Sequence, residues 1–199
     1  MTEENADPIR RRPGGRAARV REAVLAAALE VLAEEGVAGL SIAAVAARAG
    51  VNETTVYRRW GSREKLVLDA MITGSTEGIP VPDTGDVRTD LAAFARALAD
   101  YLATPTGRGV ARAAALSSED PELAEAWHAF WRSRLDQAGV IVDRAVDRGE
   151  LPAGTEAALA LELLCAPIQT RALLGHRPIG PDLPERLADA VLDGLRGRA

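Results

Sequence analysis

Apolar residues recur every three or four positions along most of this 199-residue chain, which is the period of an amphipathic helix. Val20, Val24, Ala28 and Leu32 form the first such run, and Gly36 stands where a helix of that length would end. No segment alternates apolar and polar residues as a half-buried strand would. The pattern therefore predicts an all-α protein of about nine helices.

Three further short helices are expected after the first, each beginning after a polar side chain that can accept from a free backbone N–H. The expected N-cap residues are Ser41, Asn52 and Ser62. The second helix is predicted over Ile42–Ala49 and the fourth should end near Thr73. The sequence GSTEGIPVPDTGD at 74–86 is rich in glycine, proline and acidic residues, which predicts a loop.

Five longer apolar runs predict the remaining helices, at about 87–103, 107–116, 121–148, 155–174 and 182 to the chain end. Pro121 suits a first helical turn after Ser118 or Asp120 as the cap. Pro167 lies inside its helix and is expected to kink or split it. Asp182 and Glu185 have the spacing of a capping box.

These elements suggest a division of the chain into four parts. Residues 1–15 are expected to be a disordered basic arm, 16–61 an N-terminal helical domain, 62–86 a connecting helix and loop, and 87–199 a larger C-terminal helical domain.

Charge is distributed unevenly between the two halves. The net charge is −5, yet residues 1–70 hold 11 Lys and Arg against 10 Asp and Glu, whereas 71–199 hold 13 against 19. Five basic side chains fall within 41–65. A basic patch on an acidic body suits binding of an anion at one end of the molecule, although chance surface variation gives the same count.

Several classes of protein are disfavoured by residues that the chain lacks. Cys165 is the only cysteine, so an internal disulfide is impossible and the thiol is expected to be a buried apolar group. One cysteine and two distant histidines cannot form a zinc cluster. The polar N-terminus is no signal peptide, and Glu162 interrupts the longest apolar stretch, at 157–168, which is too short to span a membrane. We expect a cytoplasmic protein without metal or cofactor.

The segment at 46–66, AARAGVNETTVYRRWGSREKL, has the spacing of a helix-turn-helix. Gly50 supplies the turn, because glycine adopts positive φ without steric cost. Ala46 then lies where the two helices touch, and Val56 anchors the second helix inward. The alternative is a plain corner between core helices.

With Val56 inward, polar residues of the second helix project outward. Such a helix places its N-terminal residues at base edges in the major groove. Tyr57, Arg58 and Arg63 offer hydroxyl and cationic donors to phosphates, and Ser41 stands at a helix N-terminus. Glu53 either accepts from a cytosine amino group or pairs with a neighbouring arginine.

The stretch LSIAAVAARAGVNETTVYRRWGSREKLVL at 40–68 resembles the DNA-binding signature of the TetR family of bacterial transcriptional regulators. The resemblance implies a three-helix DNA-binding domain, a connecting fourth helix, and a helical domain for ligand binding and dimerisation. By position, Tyr57 matches the family's phosphate-contacting tyrosine, and Arg63 stands where the family usually has a phosphate-contacting lysine. Trp60 replaces the more usual phenylalanine or histidine and is expected to pack the domain corner.

The resemblance implies a homodimeric repressor that a small-molecule effector releases from a palindromic operator in double-stranded DNA. The candidate DNA-binding residues are Ser41, Asn52, Glu53, Thr54, Thr55, Tyr57, Arg58 and Arg63. The alternatives are an enzyme or carrier that uses an aromatic pocket, and a DNA-binding protein without an effector.

Aromatic residues gathered at 127–131 give the C-terminal half its own candidate site, although ordinary core packing explains them equally well. The candidate ligand-binding residues are Phe94, Tyr101, Trp127, His128, Trp131 and Gln169. The apolar stripes of the last two helices are expected to form the dimer interface, or else internal core. Arginines at 10–12 and 16 could enter a minor groove or attract DNA without specificity.

Overall fold

The computed structural model of the chain describes residues 15–116, 121–175 and 177–196. Nine helices make up the regular structure of these residues: α1 Gly15–Gly39, α2 Ile42–Ala49, α3 Glu53–Trp60, α4 Arg63–Gly78, α5 Val87–Ala103, α6 Pro105–Leu116, α7 Pro121–Asp147, α8 Ala157–Leu174 and α9 Leu183–Arg196. The all-α prediction is confirmed. The expectations for the arm before residue 15 and for caps at Ser118 or Asp120 fall outside the described residues.

The three predicted N-caps are present. Ser41 Oγ accepts from the Ala44 N–H at 3.1 Å, Asn52 Oδ1 from the Thr54 N–H at 2.9 Å, and Ser62 Oγ from the Lys65 N–H at 3.4 Å. Gly36 interrupts the helical path of α1 with φ 70° and ψ −167°. Local capping rules therefore place the boundaries of the N-terminal helices.

Helix α4 is longer than predicted, because it continues through Gly74 to Gly78. Its two late glycines allow close packing. A Cβ on Gly74 would lie 2.6 Å from Leu29 Cδ1, and one on Gly78 would lie 2.5 Å from Tyr101 Cδ2. The prediction of an end near Thr73 was wrong because tertiary packing retains these glycines in the helix. The loop comprises only residues 79–86.

Two hydrophobic clusters form the core. The first joins α1–α4 and takes in Val110 of α6 with Trp127 and Phe130 of α7. The second joins α5, α7, α8 and α9. Helix α6 lies directly against α1, where a Cβ on Gly109 would be only 2.6 Å from the Cβ of Ala33. The N-terminal helices are thus packed firmly onto the C-terminal ones.

Helix α8 runs through Pro167 without being split. Its 18 residues have a mean hydropathy of 1.4, so by length and composition alone this helix could cross a membrane. The helix thus extends six residues beyond the apolar stretch ending at Ile168, and the expectation that this segment is too short to span a membrane was wrong on length alone. In the fold α8 packs against α5 and α7 as part of the helical C-terminal half, although only 22% of its residues are buried within one chain.

Candidate DNA-binding surface and ligand cavity

The turn between α2 and α3 is tight and apolar on its inner side. Gly50 adopts φ 66° and ψ 33°, and the Val51 N–H donates to the Ala46 carbonyl at 3.0 Å. Ala46 and Val56 are buried. The side chains predicted to form the helix-turn-helix corner therefore occupy its interior, where they fix the direction of α3.

The outer face of α3 is polar and open to solvent. Asn52, Glu53, Thr54, Tyr57 and Arg58 are exposed, and Tyr57 is 52% exposed despite its aromatic ring. An exposed aromatic side chain such as that of Tyr57 is available for contact with a binding partner. The structure thus brings five of the eight candidate DNA-binding residues together on one short surface.

The remaining three candidates flank this face. Ser41 is exposed at the start of α2, whereas Thr55 and Arg63 are half-buried. Arg63 Nε donates to Glu64 Oε1 at 3.4 Å. The pKa of Glu64 is lowered, mainly by the Ser62 hydroxyl and further by Arg63, so the pair is ionised at neutral pH.

Asn52 already has a structural role within the candidate surface. Its Oδ1 accepts from both the N–H and the Oγ1 of Thr54, each at 2.9 Å. These bonds hold the first turn of α3 in place. Asn52 therefore acts as a helix cap first, and only its amide NH₂ is left by these contacts for a base or phosphate.

A side-chain network fixes the end of α3, and nothing in the sequence motif indicates it. Trp60 Nε1 donates to Asp69 Oδ2 at 2.9 Å, and Arg21 Nη2 donates to Asp69 Oδ1 at 2.6 Å. Trp60 is buried at the domain corner, as predicted. Asp69 therefore ties α1 and α3 to α4.

Two adjoining cavities lie between the helices of the C-terminal half, with volumes of about 210 Å³ and 370 Å³. Both are lined by Leu98, Trp131 and Gln169. The smaller one reaches Ser75 and Ile79 at the end of α4. Apolar cavities of this size with a few polar groups suit small organic ligands.

Four of the six candidate ligand-binding residues line these cavities: Phe94, Tyr101, Trp131 and Gln169. Trp127 lines neither, because it lies one helical turn nearer the first core, where its ring meets Phe130 edge-on at 6.2 Å. His128 lies about 100° around α7 from Trp127 and faces solvent at a shallow depression.

Arg134 is a cavity residue that the sequence did not indicate. Its side chain lines the larger cavity and is only 6% exposed. It donates to the Ile79 carbonyl at 3.2 Å and to Gln137 Oε1 at 3.1 Å. Burial lowers its pKa. Helix α7 carries several arginines, and only the fold reveals which one is directed inward.

A third, open groove of about 560 Å³ runs along the outside of α8 and α9. Its walls include Leu159, Leu163, Leu187 and Leu195. Leu159 and Leu163 are 38% and 53% exposed. The last two helices therefore contribute to the internal core on one side and present an apolar surface on the other.

Comparison with known protein families gives two matches. Residues 24–70 match the family described as "Bacterial regulatory proteins, tetR family". Residues 81–191 match "Tetracyclin repressor-like, C-terminal domain". Together they cover both the helix-turn-helix surface and the helices around the cavities.

Individual proteins of this family are similar to the chain over most of their length. The HTH-type transcriptional regulator AqdR of Rhodococcus erythropolis is 35% identical over 90% of this chain and 86% of its own. The DNA-binding transcriptional repressor TetR of Mycobacteroides abscessus is 33% identical over 85% and 90% respectively. The crystal structure of the TetR family transcription regulator SCO0332 has a TM-score of 0.74 and 31% identity, over 88% of this chain and 98% of that one.

Proposed function

The chain belongs to the TetR family, and we propose that it is a homodimeric repressor which leaves a palindromic operator when a small effector occupies the cavities beside α4. Family membership makes it a DNA-binding, helix-turn-helix transcriptional regulator and not an enzyme. Repression, dimerisation and effector release are the proposed parts. We also propose that the protein is cytoplasmic.

The exposed polar face of α3 is the observation that carries the DNA-binding site. Base edges are read by amide, carboxylate, hydroxyl and guanidinium groups, and this face offers all four. Asn52, Glu53, Thr54 and Thr55 read the major groove in this proposal, whereas the hydroxyl and cationic groups of Tyr57, Arg58, Arg63 and Ser41 contact phosphates. The DNA-binding domain then comprises residues 16–61, with α4 and the loop to residue 86 connecting it to the C-terminal domain.

The exposed groove on α8 and α9 supports dimerisation. Only 22% of α8 is buried in one chain although the helix is strongly apolar, and a second copy would cover Leu159, Leu163 and Leu195. A two-fold dimer also places two α3 helices about 34 Å apart, one turn of DNA. This arrangement explains why the operator should be palindromic.

The position of α4 supports control by an effector. Ser75 in its last turn and Ile79 directly after its end line the smaller cavity. Its first half carries Asp69, which accepts a hydrogen bond from Trp60 of α3. A ligand that moves the end of α4 would therefore tilt α3, the recognition helix of the helix-turn-helix. An effector acts only through different affinities for the two orientations.

Selection of binding sites from random duplex DNA by the purified protein tests the repressor proposal. We expect a palindromic sequence bound by two copies of the chain, as measured by native mass spectrometry. Leu163→Glu should yield monomers and lose most operator affinity, because the charge would be buried in the groove. Ala93→Glu adds the same charge on the exposed side of α5 and should keep the dimer. A non-palindromic site bound by one chain would contradict the proposal.

A further inference from the structure

Arg134 is the one buried charged side chain among the described residues that line the two cavities. Its guanidinium has five N–H donors, and its hydrogen bonds are those to Ile79 and Gln137. No described carboxylate forms an ion pair with it. A buried cation without a counter-charge is costly, so this site favours an incoming anion.

Tyr101 provides a second polar group of the same kind. Its hydroxyl oxygen is buried and has no hydrogen-bond partner among the described residues, and its ring lines the smaller cavity. Burial raises the pKa of Tyr101, while the charge of Arg134 acts in the opposite direction. The hydroxyl is therefore protonated at neutral pH and is a donor without an acceptor.

Other groups at the cavity restrict the charge that a ligand can carry. Burial raises the pKa of Cys165 to about 12, so this thiol is neutral. Glu162 lies at the larger cavity but is exposed, and it forms no ion pair with Arg134. A single guanidinium balances a single negative charge, whereas a phosphate dianion would lack a second cation.

The remaining walls are mostly apolar, and their other polar side chains besides the exposed Glu162 are Gln169 and Ser75. Phe94, Leu98 and Trp131 form the apolar surfaces together with aliphatic residues of α7 and α8. A ligand with a long or flat hydrocarbon body would displace water from these surfaces, and the burial of apolar area favours binding. The apolar walls thus favour a hydrocarbon part in the ligand, and Arg134 favours an anionic group at one end of it.

We propose that the cavity binds organic monocarboxylates with an apolar body, and that the carboxylate lies between the guanidinium of Arg134 and the hydroxyl of Tyr101. Guanidinium and carboxylate match in a two-bond geometry. This inference rests on the proposed function in that the cavity is taken as the effector site. The hydrocarbon part lies along Trp131 and Leu98.

Calorimetric titration with matched probe pairs tests the proposal. The pairs are decanoate with 1-decanol, and 4-phenylbutyrate with 4-phenylbutanamide. The wild-type protein should bind each carboxylate at least about tenfold more tightly than its neutral partner, the equivalent of one charge-assisted hydrogen bond. Equal binding of both members of each pair, or no binding of either carboxylate, would overturn the proposal.

Single substitutions test which residues cause the preference for a carboxylate over its neutral partner. Arg134→Met should reduce the ratio to the fewfold preference that the Tyr101 hydroxyl alone supplies, while the neutral probes still bind. The exposed Arg132→Met on the same helix is the matched control and should retain the wild-type ratio. Tyr101→Phe should weaken carboxylate binding severalfold without changing the affinity for 1-decanol, and this test holds even if Arg134→Met fails to fold. An undiminished preference in both Arg134→Met and Tyr101→Phe would overturn the assignment.

Operator binding in the presence of decanoate separates this inference from the proposed function. If decanoate binds through Arg134 but leaves the operator complex intact, the carboxylate site at Arg134 is supported and the proposed release by an effector is contradicted. If the operator complex is released by a neutral compound while Arg134→Met changes nothing, release by an effector is supported and the carboxylate site at Arg134 is contradicted.

Discussion

The indole Nε1 of Trp60 donates to Asp69 Oδ2 at 2.9 Å, linking the last residue of the recognition helix to the middle of α4. Asp69 also accepts from Arg21 of α1 at 2.6 Å through its other oxygen. One carboxylate thereby fixes three helices relative to each other. We therefore expect the position of Asp69, as well as the polar residues on the exposed face of α3, to affect DNA binding.

Removing this carboxylate should affect both stability and DNA binding. Asp69→Ala leaves the buried Trp60 N–H without an acceptor, which costs about 1–3 kcal/mol, and it frees the end of α3. We expect a lower urea midpoint and weaker operator binding. Asp143→Ala removes an exposed carboxylate of α7 that has no hydrogen-bond or ion-pair partner among the described residues, so it should change neither quantity. Equal effects of the two substitutions would contradict the role assigned to Asp69.

Contacts to phosphate should be visible in the salt dependence of operator binding. Arg58→Ala should lower affinity and reduce the slope of log K against log salt by about 0.9 if its guanidinium neutralises one phosphate. Tyr57→Phe removes a neutral donor, so it should lower affinity with an unchanged slope. The measurement is fluorescence anisotropy of labelled operator over a range of salt concentrations.

Arg132→Ala provides the control for this experiment, because it removes an exposed arginine from α7 without touching α3. Its affinity and salt slope should equal those of the wild type. If Arg132→Ala reduced the slope as much as Arg58→Ala, the effect would reflect overall charge and the α3 face would be the wrong surface.

The close approach of α6 to α1 should tolerate no added methyl group. In Gly109→Ala the new Cβ would lie 2.6 Å from the Cβ of Ala33, so the two helices must separate at a cost of about 1–3 kcal/mol. In Gly139→Ala the new Cβ would be 3.5 Å from the Cβ of Ala157. That ordinary contact, with the higher helix propensity of alanine, predicts a neutral or stabilising change of up to about 1 kcal/mol.

Thermal and urea unfolding of both glycine variants would measure this difference. Because α6 also lines the smaller cavity, Gly109→Ala should change the affinity for cavity ligands as well. A Gly109→Ala protein as stable as Gly139→Ala would show that α1 and α6 are less closely packed than this structure has them.

Local rules were sufficient to predict the N-terminal third of the fold. Ser41, Asn52 and Ser62 act on backbone groups within three residues, and Gly50 acts through its own φ, so a single sequence reveals their roles. The direction of the α3 face followed from Val56 and the helical period. The family resemblance then suggested the proposed role of that face in DNA binding.

Long-range packing explains where prediction failed. The end of α4 depends on Leu29 and Tyr101, which lie far from Gly74 and Gly78 in the sequence. Trp127 and Trp131 are adjacent on α7, yet only Trp131 reaches the cavities, because the first core covers Trp127. Arg134 and Asp69 belong to no motif. Their roles arise only when helices distant in sequence are brought together.

The partly buried thiol of Cys165 should react slowly in the native protein. Burial raises its pKa to about 12, so the reactive thiolate is on the order of a hundredfold or more rarer at pH 8 than in the unfolded chain. Reaction with Ellman's reagent should be slow in buffer and complete within the mixing time in concentrated guanidinium chloride. Rapid reaction of the native protein would show that the cavity wall is open at Cys165.

The same shift predicts how stability depends on pH. The folded-state pKa is higher than the unfolded one, so the contribution of the neutral thiol to stability is fully present below about pH 8.5 and declines as pH rises towards 12. Burial also raises the pKa of Tyr101. The contribution of its neutral hydroxyl to the stability of the protein therefore declines over an overlapping alkaline range. Cys165→Ala should therefore remove only the earlier part of the loss, which urea titrations at pH 7 and at pH 10 would measure. An unchanged decline in Cys165→Ala would assign the whole effect to Tyr101 and other groups.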